Sequence, residues 1–452
     1  MLGRMLKEIF LGNRRQGGKV GDVQAAVPLS PPRYERRGRI LVMTGGSEGD
    51  FIKDVSPGLV QPLMAESAGV KIVHVGSPGW LAQIAEAVEE PLWFVLSYFG
   101  VGKNLLANRE ASGLNLWAAG GIPLVQIFGD CPAYFPRAHQ QDYSNWVNVY
   151  GHPEHHDFFR KWLHPRGITL VSPSALLDAL PEADIDFSAK LTGKIIFPKN
   201  GNDPGALIDY WRSSLPPYIT RALEAVAESI SSPDEIKRSP QIDEVLNLRF
   251  ADIGIDITGH RPLFFFLIAQ LDDYLRRIKS TMMARALLDL PIEVRGSSWG
   301  HVNFSGRRAR LVPNSAYAQT RELIRDSLAV LDMSPNTSHL PHDRILRAAG
   351  RHTAFLSNTQ HFFSQNFENY REFTFDFSAE SIRETVEGAL ANPARTVEMG
   401  RAQAARMRSL ASDEVYASTL ITAIDACALA SQGRPPGTQI FVDYRPLDGQ
   451  IS

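Results

Sequence analysis

The sequence predicts an α/β fold: two doubly wound, Rossmann-like parallel-sheet domains facing a cleft, joined by a helical bridge and followed by C-terminal helices. Three observations predict it. Short apolar strands alternate with helical periodicity from Arg39 to Val171, and again from Pro291 to Asp376. Residues 201–290 between them read almost wholly as helix. The 452 residues, 44% of them hydrophobic, suffice for about two to three ordinary globular domains.

Composition narrows the function. A net charge of -2 gives no electrostatic case for nucleic acid as a partner. The two cysteines, Cys131 and Cys427, read as small apolar residues and fit a reducing, cytoplasmic setting. No stretch approaches the ~20 apolar residues of a membrane span. Leu263 to Ala269 is the longest candidate, and the polar Gln270 and Asp272 that follow make it a buried helix. Residues 1–37 form a basic arm containing Arg14-Arg15 and Arg36-Arg37. It is expected to be poorly ordered and is compatible with weak peripheral contact at an anionic inner-membrane surface.

Residues 38–200 are assigned to the first sheet domain. Arg39–Met43 is its opening strand, and the turn Thr44-Gly45-Gly46-Ser47-Glu48-Gly49-Asp50 follows. Glycines there let a ligand approach backbone N–H groups, so Gly45, Gly46, Glu48 and Asp50 are candidate acceptor contacts, although a plain strand-to-helix turn has the same composition. Strands follow at 70–75, 91–97, 122–128 and 168–171, with helices at 81–88 and 114–119. The strand 122–128 delivers Asp130, a candidate catalytic carboxylate, with His139 a few residues on as a base or as its partner. Asp130 also fits as a cap of the next turn, and His139 as a surface histidine. His152, His155, His156 and Asp157 invite a metal reading. Adjacent histidines diverge on a helix, however, and Pro153 interrupts the 152/156 pair, so a solvated or acceptor-facing loop is expected and no metal site.

Residues 201–290 form the helical bridge, 291–395 the second sheet domain, 396–430 the C-terminal helices and 431–452 an irregular tail. The second domain holds a strand–loop–helix–strand unit. Leu328–Leu331 ends at the Ser334-Pro335-Asn336 breaker, a helix runs from Asp343 to Ala349 and stops at Gly350, and Thr353–Leu356 follows. Ligands of such sheets sit beyond the strands' carboxyl ends, where helix starts face phosphate. His342 and Arg344 stand at that end, and arginine's planar fork suits a pyrophosphate.

The series IEVRGSSW (292–299), NSAY (314–317), DMSPN (332–336) and HDRILRAAG (342–350) resembles the C-terminal half of GT-B glycosyltransferases, in particular a CgeB-like, group-1-like bacterial branch. The likeness extends loosely over residues 38–430, through Asp130-Cys131-Pro132 and Lys199-Asn200-Gly201. It implies two Rossmann-like domains and transfer of a sugar from a nucleotide-sugar donor to a glycan, lipid-linked or protein acceptor, with no essential metal or other cofactor. The second domain is the donor half in this resemblance. Gly296, Trp299, Tyr317, Asn336, His342, Asp343 and Arg344 are then the donor-binding candidates, Trp299 and Tyr317 by stacking on the base. One position departs from the pattern: Arg347 stands where that branch often carries a carboxylate. Two other functions fit the same residues, a non-catalytic GT-B-like binding or scaffold protein and a two-domain nucleotide-sugar epimerase.

Overall fold

The computed structural model describes residues 32–45, 51–107, 115–139, 145–163, 167–172, 176–238, 241–334, 336–431 and 441–444. Most of the basic arm, together with Gly46, Glu48 and Asp50, lies outside them. Thirteen strands are described: β1 (Tyr34–Gly45), β2 (Val70–Val75), β3 (Leu92–Tyr98), β4 (Leu124–Phe128), β5 (Trp146–Tyr150), β6 (Gly167–Val171), β7 (Ile195–Pro198), β8 (Glu293–Arg295), β9 (Arg310–Val312), β10 (Ala329–Leu331), β11 (Ala354–Asn358), β12 (Thr374–Phe375) and β13 (Phe441–Tyr444). They form two sheets, ordered β13-β6-β5-β4-β3-β1-β2 and β12-β11-β10-β7-β8-β9. Every pairing is parallel. The second order is that of a doubly wound nucleotide-binding sheet, and its direction reverses between β7 and β10.

Strands covered on both faces need apolar residues at successive positions. β1 shows this directly. Ile40 and Val42 enter one core layer, while Leu41 and Met43 enter the other. The first of these layers continues through Trp211, Leu271 and Val330, so one apolar core joins both sheets and the helices between them.

Three sequence boundaries shift. Residues 195–198 belong to the second sheet, where β7 pairs with β10 on one side and β8 on the other. Its four residues run straight into Pro198-Lys199-Asn200-Gly201, a breaker run that resembles a domain end. The helices from Pro204 to Ala286 are therefore an insertion between β7 and β8 of one domain. The tail is not irregular throughout, because β13 adds to the first sheet beside β6. Arg36 and Arg37 also leave the predicted arm. They lie in β1, paired with Asp425 and Glu66 at 2.8 Å each.

The insertion ends in the helix Arg261–Ala286, which Pro262 starts in its first turn. Twenty-six residues give it a length of about 39 Å. It buries Phe264, Leu267, Leu271, Leu275 and Met283, and it carries Asp272, Arg276 and Lys279 at i, i+4 and i+7, a single stripe. The helix Asp413–Ser431 returns to pack on β5 and β6, so the chain crosses between domains twice. Among the described residues no helix is long and apolar enough to cross a membrane.

Candidate active site

The reversal between β7 and β10 opens a cavity of about 780 Å³. β7 delivers Lys199 and Asn200 to it, β8 delivers Arg295, and the helix starts at Tyr317 and Asp343 close it. His342 caps the helix Asp343–Gly350 with extended backbone. Its Nδ1 lies 3.1 Å from Asp332 Oδ1 and 2.9 Å from Asp343 Oδ1. Arg344 Nη1 donates to the same Asp332 oxygen at 2.5 Å. Arg347 pairs with Asp343 and lays its guanidinium 4.3 Å over the Tyr317 ring. Arg295 is closed onto Glu293 at 2.5 Å.

Burial alone would push Asp332 up and His342 down, but their mutual attraction and Arg344 hold Asp332 low, while Asp343 and Asp332 raise His342. Lys199 differs, having no carboxylate partner among the described residues. Burial lowers its pKa to about 8, and the neighbouring Arg344 and Arg276 act in the same direction. Among the described residues, His342, Arg344, Arg347 and Lys199 are thus set against two carboxylates, Asp343 in the cavity wall and the fully buried Asp332 behind it. That surplus of positive charge, beside a helix start, suits a diphosphate.

A second cavity of about 350 Å³ adjoins the first and shares Lys199, Asn200 and Asn202 with it. Its walls are Asp130, Tyr134 and Phe135 from the first domain and Asp273, Arg276, Arg277 and Ser280 of the long helix. Asp130 accepts from Arg276 Nη1 at 3.1 Å. Arg276 also reaches Asp272 at 2.8 Å, and Asp272 takes the Tyr134 hydroxyl at 2.8 Å. Burial would raise the Asp130 pKa, but Arg276 prevails and keeps it ionised. One network therefore spans first domain, insertion and second domain.

Of the sequence candidates, Tyr317, His342, Asp343 and Arg344 meet in the larger cavity, and Asp130 lines the smaller. Four others require correction. His139 is no surface base. It is 3% exposed, its ring centroid lies 3.9 Å from that of Phe128, and its Nδ1 is committed to the Tyr150 hydroxyl at 2.7 Å. Burial holds its pKa at about 3, leaving it neutral. Trp299 is no stacking platform either, being 2% exposed with its indole N–H donating to Lys199 O at 2.9 Å. Gly296 serves backbone proximity, since a Cβ there would stand 2.2 Å from Lys199 O. Asn336 takes a left-handed φ of 53° and is used internally, accepting from Lys279 Nζ at 2.8 Å and donating to Asp272 Oδ1 at 2.7 Å. Gly45 ends β1 against Val101, and its loop partners lie outside the described residues.

The histidine cluster does not form a solvated loop. Pro153 opens the helix Pro153–Trp162, and His152, His155 and His156 are buried at its start. Burial lowers His152 to about 3 and His155 to about 4. Glu154 of the same helix crosses to the second domain, accepting the Ser338 N–H at 2.7 Å and meeting the His339 ring at 2.7 Å. Sequence reasoning missed Lys199, Arg276 and Glu154 as site residues. The signals for Lys199 were its place directly after a short apolar run and the loose likeness of the Lys199-Asn200-Gly201 segment.

Residues 276–420 match the family described as Glycosyl transferase-like. The chain matches no curated protein sequence. Among solved structures it is similar to the DNA-modifying β-glucosyltransferase, at 10% identity and a TM-score of 0.48 over 86% of this chain and 99% of that one. The T4 phage enzyme with UDP-glucose gives 9% and 0.47 over 86% and 99%. Sucrose-phosphate synthase from Thermosynechococcus elongatus gives 10% and 0.45 over 87% and 100%. These likenesses are too distant to carry an argument about chemistry. What stands is two doubly wound parallel sheets and, over residues 276–420, a domain similar to the family described as Glycosyl transferase-like.

Proposed function

We propose that the protein transfers a sugar from a nucleotide-sugar donor to an acceptor hydroxyl. The single observation that carries this reading is the cationic cavity at the β7/β10 reversal, with Lys199 beside a helix start and without a carboxylate partner among the described residues. The donor diphosphate lies against Lys199, Arg344 and that helix. The acceptor oxygen attacks the anomeric carbon, the bond from that carbon to the phosphate oxygen breaks, and its electron pair leaves on the diphosphate. Lys199 and the surplus positive charge stabilise the developing anion. Asp130, ionised and lining the adjoining cavity, receives the hydroxyl proton and passes it to solvent. The order of motifs from 292 to 350 supports placing the chain with the CgeB-like branch.

The test is a melting series with UDP, GDP, CDP, dTDP and their sugars. A ligand at a hundred times its Kd stabilises the native state by about 2.7 kcal/mol, so one nucleotide should raise the Tm clearly. No rise with any of them defeats the proposal. One observation favours a second, non-catalytic reading: Arg347 occupies the position of an expected carboxylate and clamps Asp343. That reading predicts nucleotide binding without turnover.

A further inference from the structure

The smaller cavity differs in chemistry from the larger one. Its charges are matched, Asp130 to Arg276 at 3.1 Å and Asp273 to Arg277 at 2.7 Å, so an anion gains little there beyond Lys199 at the shared edge. Donors remain nonetheless. Arg276 Nη2 and Arg277 Nε are buried without a partner among the described residues. One wall is apolar. Phe135 is 47% exposed, held at 5.2 Å from the Phe99 ring, and leaves part of its surface uncovered. A volume of about 350 Å³ is at the small end for ligand cavities, which fits one ring unit better than a chain. An aromatic surface in the same cavity as paired carboxylates and guanidinium groups matches a molecule with an apolar C–H face and a rim of hydroxyls.

We infer that this cavity holds a neutral pyranose ring, stacked on Phe135, with its hydroxyls taken by Asp130, Arg276 and Arg277. The inference rests on the proposed sugar transfer and deepens it, because half of the sugar site then comes from the helical insertion. Two sources supply such a ring, the sugar on the donor nucleotide and a terminal sugar of the acceptor.

The test uses the full chain as wild type, Phe135→Ala and Phe135→Trp, each first checked by its melting temperature. Calorimetry with the nucleoside diphosphates and their sugars is paired with transfer kinetics on methyl glycosides of glucose, galactose, mannose and N-acetylglucosamine. Phe135→Ala should leave diphosphate affinity unchanged. If the donor supplies the ring, the sugar nucleotide binds about fivefold to tenfold more weakly, the scale of one aromatic contact. If the acceptor supplies it, KM for the glycoside rises by that factor while donor affinity holds. Phe135→Trp restores either. Diphosphate binding with neither effect in Phe135→Ala overturns the inference and leaves the proposed function standing. Failure of wild type to bind any diphosphate overturns the proposed function. Direct glycoside titration then decides the cavity, heat lost in Phe135→Ala supporting the ring and no heat refuting it.

Discussion

Replacing Lys199 with methionine keeps most of the side-chain volume and removes a cation of the larger cavity that has no carboxylate partner among the described residues. An ammonium and a phosphate oxygen about 4 Å apart attract by roughly 4 kcal/mol at an effective dielectric of 20. Lys199 is only partly buried, and water already solvates it in the free protein. The net loss should therefore be nearer that of a charged hydrogen bond, about 1.5–3 kcal/mol, or roughly a tenfold to 150-fold weaker Kd. Calorimetric titration with the preferred nucleoside diphosphate measures this, with the bare nucleoside as control, whose affinity should hold. A proton signature should accompany it. Lys199 titrates at about 8 in the free protein, and a bound anion favours its charged form. Binding above that pH must then take up a proton, so affinity falls as pH rises past about 8 and the measured heat depends on the buffer. Equal diphosphate affinity in wild type and Lys199→Met, or a flat affinity across that range, would refute the placement of the diphosphate.

Other expectations follow from the same geometry. Asp130→Asn should lower transfer by roughly a hundredfold or more, the usual contribution of a general base, while leaving diphosphate affinity within about twofold; unchanged turnover removes Asp130 from the chemistry. Gly296→Ala pushes a methyl group into the Lys199 carbonyl and should cost about 1–3 kcal/mol, read as a lower Tm together with weaker nucleotide binding. The Glu154–His339 contact between domains has a calculable pH window. Burial would raise the Glu154 pKa, but the His339 ring and backbone N–H groups lower it to about 2, so its stabilisation is full above its ordinary 4.5 and fades as pH falls. Glu154 raises His339 above its ordinary 6.5, so that share is full below 6.5 and fades as pH rises through the folded value. The Tm difference between wild type and Glu154→Gln should therefore peak between about 4.5 and 6.5, and a difference independent of pH sinks the assignment.

Local signals made part of this legible. The helix Asp343–Gly350 was readable because its start and apolar face are neighbours in sequence, although Gly350 is its last helical residue and the left-handed turn falls at His352. β1 was readable from a continuous apolar run. β7 was not, since the sheet to which a four-residue strand belongs depends on partners about a hundred residues away. His139 and Trp299 failed for a related reason. Their residue types suit a ligand site, and only the surrounding Phe128, Tyr150 and Lys199 carbonyl reveal that they are already occupied. Lys199 shows the converse, because its meaning lies in a missing carboxylate, which no linear pattern displays.

The place of β13 bears on how the molecule is made. Its four residues complete the first sheet beside β6, yet they emerge from the ribosome after the whole second domain. Until then the N–H and C=O groups along that side of β6 are without their native cover and open to a strand from another nascent chain. Truncation before residue 441 should thus favour aggregation of the first domain, although every residue of the proposed site is still present.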